Sequence, residues 1–314
     1  MHNSIKLAFV FPGQGSQGVG MLSALGEQYP GVKNTFQEAS GVMGYDLWEL
    51  VQAGPEAELN VTVKTQPALL VASVATWKIW KELGGPDPSY MAGHSLGEYT
   101  ALVCAGVLGF HDAVSLVENR GRYMQEAVAE GAGAMAAILG LPDAEVIAIC
   151  QKAAQGQVVA AANFNSPAQV VIAGHAEAVK RAMELATAAG AKRAILLPIS
   201  VPSHCALMRE AAGQFAEHLD KTPFATGNIP VIHNVDVSMK IDGNAIRQAL
   251  IEQLCQPVRW VETIQLMANH GVTHIVECGP GKVLAGLVKR IDRTIETFSI
   301  SEPELLGKAL TALR

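Results

Sequence analysis

Between residues 133 and 200 the order of apolar segments in this chain changes, and that change limits the folds open to it. "GAMAAILGL" reads as a strand, "DAEVIAICQKAAQ" as a helix, and "VVAAANFNS" and "AQVVIAGH" as two strands. "EAVKRAMELATAAG" then reads as a helix and "AKRAILLPIS" as a final strand. The order β-α-β-β-α-β is that of a ferredoxin-like unit. On either side, short apolar strands alternate with helices, the pattern of an α/β protein with a largely parallel sheet. Before the unit, the strands "KLAFVFP" and "SYMAGHS" flank the helix "TQPALLVASVATWKIWKELG", and "LGEYTALVCAGVLG" and "FHDAVSLVENRGRYMQEAVAEG" follow as helices. After it come the strands "VIHNVDV" and "THIVECG", with helices around 205–220, 243–254, 260–270 and 281–292. The expected organisation is a large α/β subdomain of residues 1–130 and 202–314, interrupted by a small ferredoxin-like subdomain of residues 131–201.

Composition narrows the class. Hydrophobic residues make up 49% of the 314, enough for a sizeable core. The 23 basic and 29 acidic residues leave a net charge of −6, which offers a polyanion no general attraction and argues against nucleic-acid binding. No apolar run approaches the roughly 18 residues that a bilayer-spanning helix requires, so no membrane association is expected. Cys104, Cys150, Cys205, Cys255 and Cys278 show no paired or metal-ligand spacing and read as reduced thiols of a cytoplasmic protein with no metal.

Gly93-His94-Ser95-Leu96-Gly97 fits G-x-S-x-G between a short strand and a helix. A sharp strand-to-helix turn strains the central residue, and flanking glycines let neighbouring backbone approach without a Cβ. The serine oxygen would then stand at the positive end of the following helix. A plain N-cap serine is the competing reading. A nucleophilic serine needs a base. His94 should point away from Ser95 along such a turn, and His270 with His274 lacks the carboxylate of a zinc site. His204 in "SVPSHCALM" is better placed, where the chain re-enters the large subdomain; an ordinary loop histidine is its other reading.

The helix starting near 110 carries an anomaly. Its stripe runs Ala113, Val117, Arg120, Met124, Val128, which puts Arg120 in the middle of the apolar arc. A guanidinium there must snorkel, pair with an internal carboxylate, or await an anionic ligand, and it can hold a carboxylate bidentately.

The loop "FPGQGSQG" places Gly13, Gly15 and Gly18 as G-x-G-x-x-G after a strand. A dinucleotide site also wants an acid at the end of a second strand about 20 residues on. Glu38 has the distance, but "NTFQEASG" reads as a helix end. "ECGPGK" lacks the full P-loop pattern.

"FPGQGSQ", "GHSLGE" at 93–98, "RG" at 120–121, "NFNSP" at 163–167, "VPSHC" at 201–205, "QL" at 253–254 and "ECGPGKVL" at 277–284 occur in one order along the chain. Together they closely resemble the malonyl-CoA:acyl carrier protein transacylases of bacterial type II fatty acid synthesis, and the resemblance covers almost the whole chain. It implies an α/β-hydrolase-like large subdomain carrying the ferredoxin-like one. It also implies transfer of a malonyl group from malonyl-CoA to the phosphopantetheine thiol of acyl carrier protein through a malonyl-serine, supplying fatty acid chain elongation. By the same resemblance Ser95 is the nucleophile and His204 its base, with no acidic third member. The backbone carbonyl of Gln253 orients His204, the backbone N–H groups of Gln14 and Leu96 form the oxyanion hole, and Arg120 binds the malonyl carboxylate. No cofactor is implied, and a monomer is expected. An acidic carrier protein would need a locally basic surface on this acidic chain. Lys282, Lys289 and Arg293 fall within about 40° of one face of the helix expected from 281, with Arg290 beside them.

Two other classes compete. A serine hydrolase such as a thioesterase would pass the acyl group to water. A non-enzymatic scaffold would have little use for Ser95, His204, Arg120 and Gln14 together.

Overall fold

The structure, a computed structural model, describes residues 5–199 and 201–314. Five parallel strands form the first sheet in the order β7-β2-β1-β8-β9. These are β1 (Leu7–Phe11), β2 (Tyr90–Gly93), β7 (Val231–Ile232), β8 (His274–Glu277) and β9 (Glu296–Ser299). β1 is central, and all five of its residues are buried. Helices cover both faces of this sheet, which is why the strand reads as an unbroken apolar run. On one face Phe9 meets Trp77 and Trp80 edge-on, with ring centroids 5.1 and 5.2 Å apart. Ala8 and Val10 face the other core, with Trp260, Ile264 and Val288.

The second sheet is antiparallel: β3 (Gly133–Leu139), β4 (Val159–Ser166), β5 (Gln169–His175) and β6 (Arg193–Leu196), in the order β4-β5-β3-β6. Helices Asp143–Ala154 and Ala176–Ala188 pack on one face around Ile138, Ile172 and Ala182. Strand order and connections are those of the expected ferredoxin-like unit. β4 carries two register shifts against β5, around Asn163 and Ser166. Such bulges re-aim side chains. Beside them β4 bonds to the rest of the chain, Val258 N–H to Ala162 O at 2.8 Å and Phe164 N–H to Val258 O at 2.9 Å.

Several elements differ from the sequence expectation. The strand expected over 231–237 stops at Ile232, because His233 and Asn234 leave the ladder to bond Glu98 of the helix Gly97–Cys104. The last strand of the small unit stops at Leu196, two residues before Pro198, which has no N–H to give a ladder; Ser200, included in that expected strand, lies outside the described residues. The helix after Ser95 ends at Cys104, ahead of Gly106 at φ 77°, and the next one ends at Glu126. The helix expected over 281–292 covers Val283–Ile291. Lys282 is therefore its non-helical N-cap and Arg293 lies two residues past its end, so the single helical face drawn through both is not the geometry found. Four helices between Ser23 and Leu59, the strand β9 and the helix Pro303–Leu313 complete the described fold.

The turn between β2 and the helix Gly97–Cys104 is closed by backbone contact. A Cβ on Gly93 would stand 1.8 Å from the Gly97 carbonyl carbon, and one on Gly97 2.0 Å from Phe11 O. Gly286, on the exposed side of the helix Val283–Ile291, has nothing near it. Gly97→Ala should therefore unfold the protein or lower its thermal midpoint by many degrees. Gly286→Ala should instead stabilise it by about 0.5–1 kcal/mol. Thermal melts of the two variants side by side check this.

Candidate active site

Ser95 sits at φ 52°, in the left-handed region that a non-glycine residue enters only under constraint. Asn234 supplies the constraint: its Oδ1 accepts the Ser95 N–H at 2.8 Å and its Nδ2 donates to Gly93 O at 2.7 Å. One side chain so ties the end of β2 to the first turn of the helix. His94 points away from Ser95 Oγ to Asn165 on β4, with Nε2 2.8 Å from Oδ1.

His204 also has a positive φ, 61°, and is buried. Its N–H bonds to Leu254 O at 3.0 Å, and Nδ1 lies 2.7 Å from the backbone oxygen of Gln253. An acceptor there fixes the proton on Nδ1, which leaves the Nε2 lone pair for Ser95 Oγ, 2.7 Å away. No carboxylate touches the ring among the described residues. Burial first, then the nearby Arg120 cation, hold the His204 pKa down to about 3. The imidazole is therefore neutral at ordinary pH and able to take a proton from a hydroxyl.

Arg120 projects from the helix Phe110–Glu126 and is 1% exposed. Its Nη1 donates to Gln66 Oε1 at 2.8 Å, and Nη2 to Gln253 Oε1 at 2.9 Å and Ser95 Oγ at 3.2 Å. Its Nε has no partner among the described residues, and the guanidinium lies over the Tyr99 ring, 5.3 Å from the centroid. Of the three options open to this side chain from its place in the stripe, snorkelling and an internal ion pair are both absent among the described residues. Burial pushes its pKa below the ordinary value, against the pull of Tyr99 and Glu98.

The glycine-rich loop after β1 reaches the same place. A Cβ on Gly13 would lie 2.5 Å from His94 O, so only glycine lets the loop run this close to the elbow. Among the described residues, neither the Gln14 nor the Leu96 N–H has a protein acceptor. A cavity of about 160 Å³ opens over Ser95 and His204, lined by Gln14, His94, Asn163 and Asn165 and by the apolar Met135, Leu197, Ile199 and Leu284. A larger cleft of about 800 Å³ adjoins it, sharing Gln14, Leu197 and Ile199. Asn163 Oδ1 is buried beside the cavity, without a partner among the described residues.

The structure thus brings together Ser95, His204, Arg120, Gln14, Leu96 and Gln253. It does not bring His270 or His274 to them, since His274 pairs with Leu7 at the opposite end of β1. Lys282, Lys289, Arg290 and Arg293 are exposed near the cavity lip at Val283, and Arg290 bonds to Gln169 of β5 at 2.6 Å. The five cysteines are unpaired, and no metal-binding cluster occurs among the described residues. Sequence reasoning missed Asn234, Gln66 and Glu98. Glu98 carried a legible signal, as the one charge in an otherwise apolar helix next to the G-x-S-x-G turn. Asn234 was hidden inside a segment read as a strand.

The sequence matches the acyl transferase domain family over residues 8–309. It is 58% identical over 306 residues to the malonyl CoA-acyl carrier protein transacylase of Salmonella typhimurium, covering 98% of this chain and 99% of that one. The solved structure of the malonyl CoA-acyl carrier protein transacylase of Coxiella burnetii superposes with a TM-score of 0.98 at 55% identity, over 99% of this chain and 98% of that one. A malonyl-transacylase solved in complex with its type II polyketide acyl-carrier protein superposes at 0.97, again at 55% identity, over 98% and 99%.

The electrostatic arrangement makes a prediction of its own. His204 should remain neutral well below pH 6.5, the ordinary histidine value, when its ring is followed by nitrogen NMR. In Arg120→Leu the transition should move upward, because the cation that opposes a second positive charge is gone. A His204 transition near 6.5 in the unaltered protein would contradict the arrangement described.

Proposed function

This chain belongs to the acyl transferase family, and from that footing we propose that it transfers the malonyl group of malonyl-CoA to the phosphopantetheine thiol of an acyl carrier protein, supplying fatty acid chain elongation. The observation that carries the reading is a single oxygen, Ser95 Oγ, placed 2.7 Å from a neutral imidazole nitrogen and 3.2 Å from a buried guanidinium with no carboxylate partner among the described residues.

His204 takes the proton of Ser95 as Oγ attacks the thioester carbonyl, forming the new C–O bond. The oxyanion that develops is held by the N–H groups of Gln14 and Leu96, an interaction of about 3–4 kcal/mol per donor in comparable sites. Collapse breaks the C–S bond, and His204 returns the proton to the departing CoA thiolate. Malonyl-Ser95 remains. The carrier thiol then gives its proton to His204, attacks the ester carbonyl, and releases Ser95 protonated. Two half-reactions through one covalent intermediate make the kinetics ping-pong, and no cofactor enters. Gln253 keeps the Nδ1 proton in place through both halves. Arg120 meets the malonyl carboxylate, so an acyl group without one leaves the cation buried and unpaired, which is the origin of selectivity. Five unpaired thiols fit a reducing cytoplasmic location.

The carrier protein docks on Lys282, Lys289, Arg290 and Arg293, exposed cations on and beside the helix Val283–Ile291, whose exposed first residue lines the cavity, and they suit an acidic partner.

Incubation with malonyl-CoA alone, followed by intact mass and peptide mapping, should show one malonyl group on Ser95 that added carrier protein removes. Free malonate and CoA without adduct would make the protein a hydrolase instead. Arg120→Ala should shift preference toward acetyl-CoA; unchanged discrimination would end the role given to that residue. Charge reversal at Lys289 and Arg293 should raise KM for carrier protein and leave KM for malonyl-CoA alone. Equal effects on both, or none, would put the docking surface elsewhere.

A further inference from the structure

Glu98 lies in the first turn of the helix Gly97–Cys104, fully buried, and the steps above give it no task. Its two oxygens receive three N–H donors. His233 Nδ1 lies 2.7 Å from Oε1; the Asn234 N–H at 3.0 Å and Gln253 Nε2 at 2.8 Å both reach Oε2. Donors on every side are the surroundings of a carboxylate, which only accepts.

Two of these donors belong to residues that hold the reacting groups. Asn234 clamps the Ser95 N–H and Gly93 O. Gln253 makes four contacts at once: Nε2 to Glu98 and to Ser95 O at 3.0 Å, Oε1 from Arg120, and its main-chain oxygen from His204. Its side-chain amide lies head to tail between a buried cation and a buried anion, oxygen toward Arg120 and nitrogen toward Glu98. Neither charge has another opposite charge in direct contact among the described residues, apart from the imidazole of His233 on Glu98. In so dry a setting, charges joined through one oriented amide are strongly coupled, and removal of one leaves the other uncompensated.

We infer that Glu98 is a positioning residue for the acyl transfer: it is the buried negative charge that, through Gln253 and Asn234, holds Arg120, the Ser95 turn and the carbonyl that orients His204. The inference rests on the reading that these three residues act on the malonyl group. A residue that merely packed the 233–234 loop would make the same bonds to His233 and Asn234 but would not be coupled to Arg120.

A double-mutant cycle separates the two. Glu98→Gln, Arg120→Leu and the pair are compared with the unaltered protein by thermal unfolding, and by kcat and KM with malonyl-CoA where activity permits. Glu98→Gln alone should lower the melting temperature. It should also lower kcat on the order of 10- to 100-fold with a much smaller change in KM, because groups are displaced and no substrate contact is removed. In the Arg120→Leu background the same change should leave the melting temperature unchanged or raise it, since Glu98 has then lost its countercharge. Equal losses of melting temperature in both backgrounds, or an unchanged kcat in Glu98→Gln, would overturn the inference. Should Glu98→Gln fail to fold, Arg120→Leu against the pair still decides, because a further loss of stability in the pair overturns it too. The thermal arm needs no turnover, so a failure of the malonyl reading would appear as a missing adduct in the unaltered protein while the coupling persists.

Discussion

The contact on which the site depends is backbone against backbone. At the end of β1, Phe11 O lies where a side chain on Gly97 would begin, and Gly93 is closed against Gly97 in the same way. This approach sets the tight turn in which Ser95 is held in the left-handed region by Asn234, and makes the turn a rigid step between strand and helix. It also carries the loop that follows β1 onto His94, through Gly13. The N–H groups of Gln14 and Leu96, far apart in sequence, thereby arrive on either side of the turn with their hydrogen-bonding capacity unused. Packing of glycine against carbonyl thus brings polar backbone to the edge of the cavity over Ser95.

The second unit closes that pocket from the other side. Its contribution comes from irregular strand: the bulges of β4 turn Asn163 and Asn165 toward the cavity, and the ladder bonds to Val258 fix how far β4 stands from the turn. His94 is a side-chain link between the two at the site itself, joined to Asn165 while its backbone faces Gly13.

Ser95 and Arg120 were legible in the sequence because each violates a local rule: one stands between glycines at a strand end, the other interrupts an apolar stripe. The alternating elements and the β-α-β-β-α-β unit were legible from apolar period, and the sheets follow that reading. His204 was not separable from a loop histidine on its own residues, since its placement depends on a positive φ and on a carbonyl 49 residues away. Asn234 was concealed because the segment "VIHNVDV" reads as one strand, whereas His233 and Asn234 leave the ladder for tertiary reasons, as partners of Glu98. The helical face assigned to Lys282 and Arg293 failed because helix ends are set by capping geometry, which periodicity does not encode.

Gln253 holds two different things by two different parts of itself. The imidazole of His204 rests on its main-chain oxygen, the guanidinium of Arg120 on its side-chain oxygen. Every amino acid carries the first, so a point mutation at this position cannot delete it; the second is lost with almost any replacement. Such a replacement therefore keeps the acceptor atom of the imidazole but loses its anchorage to Glu98, while the acceptor of the cation is lost outright. Loss at this position is thus graded: the cation is released at once, and the imidazole keeps its partner in a backbone no longer tied to Glu98.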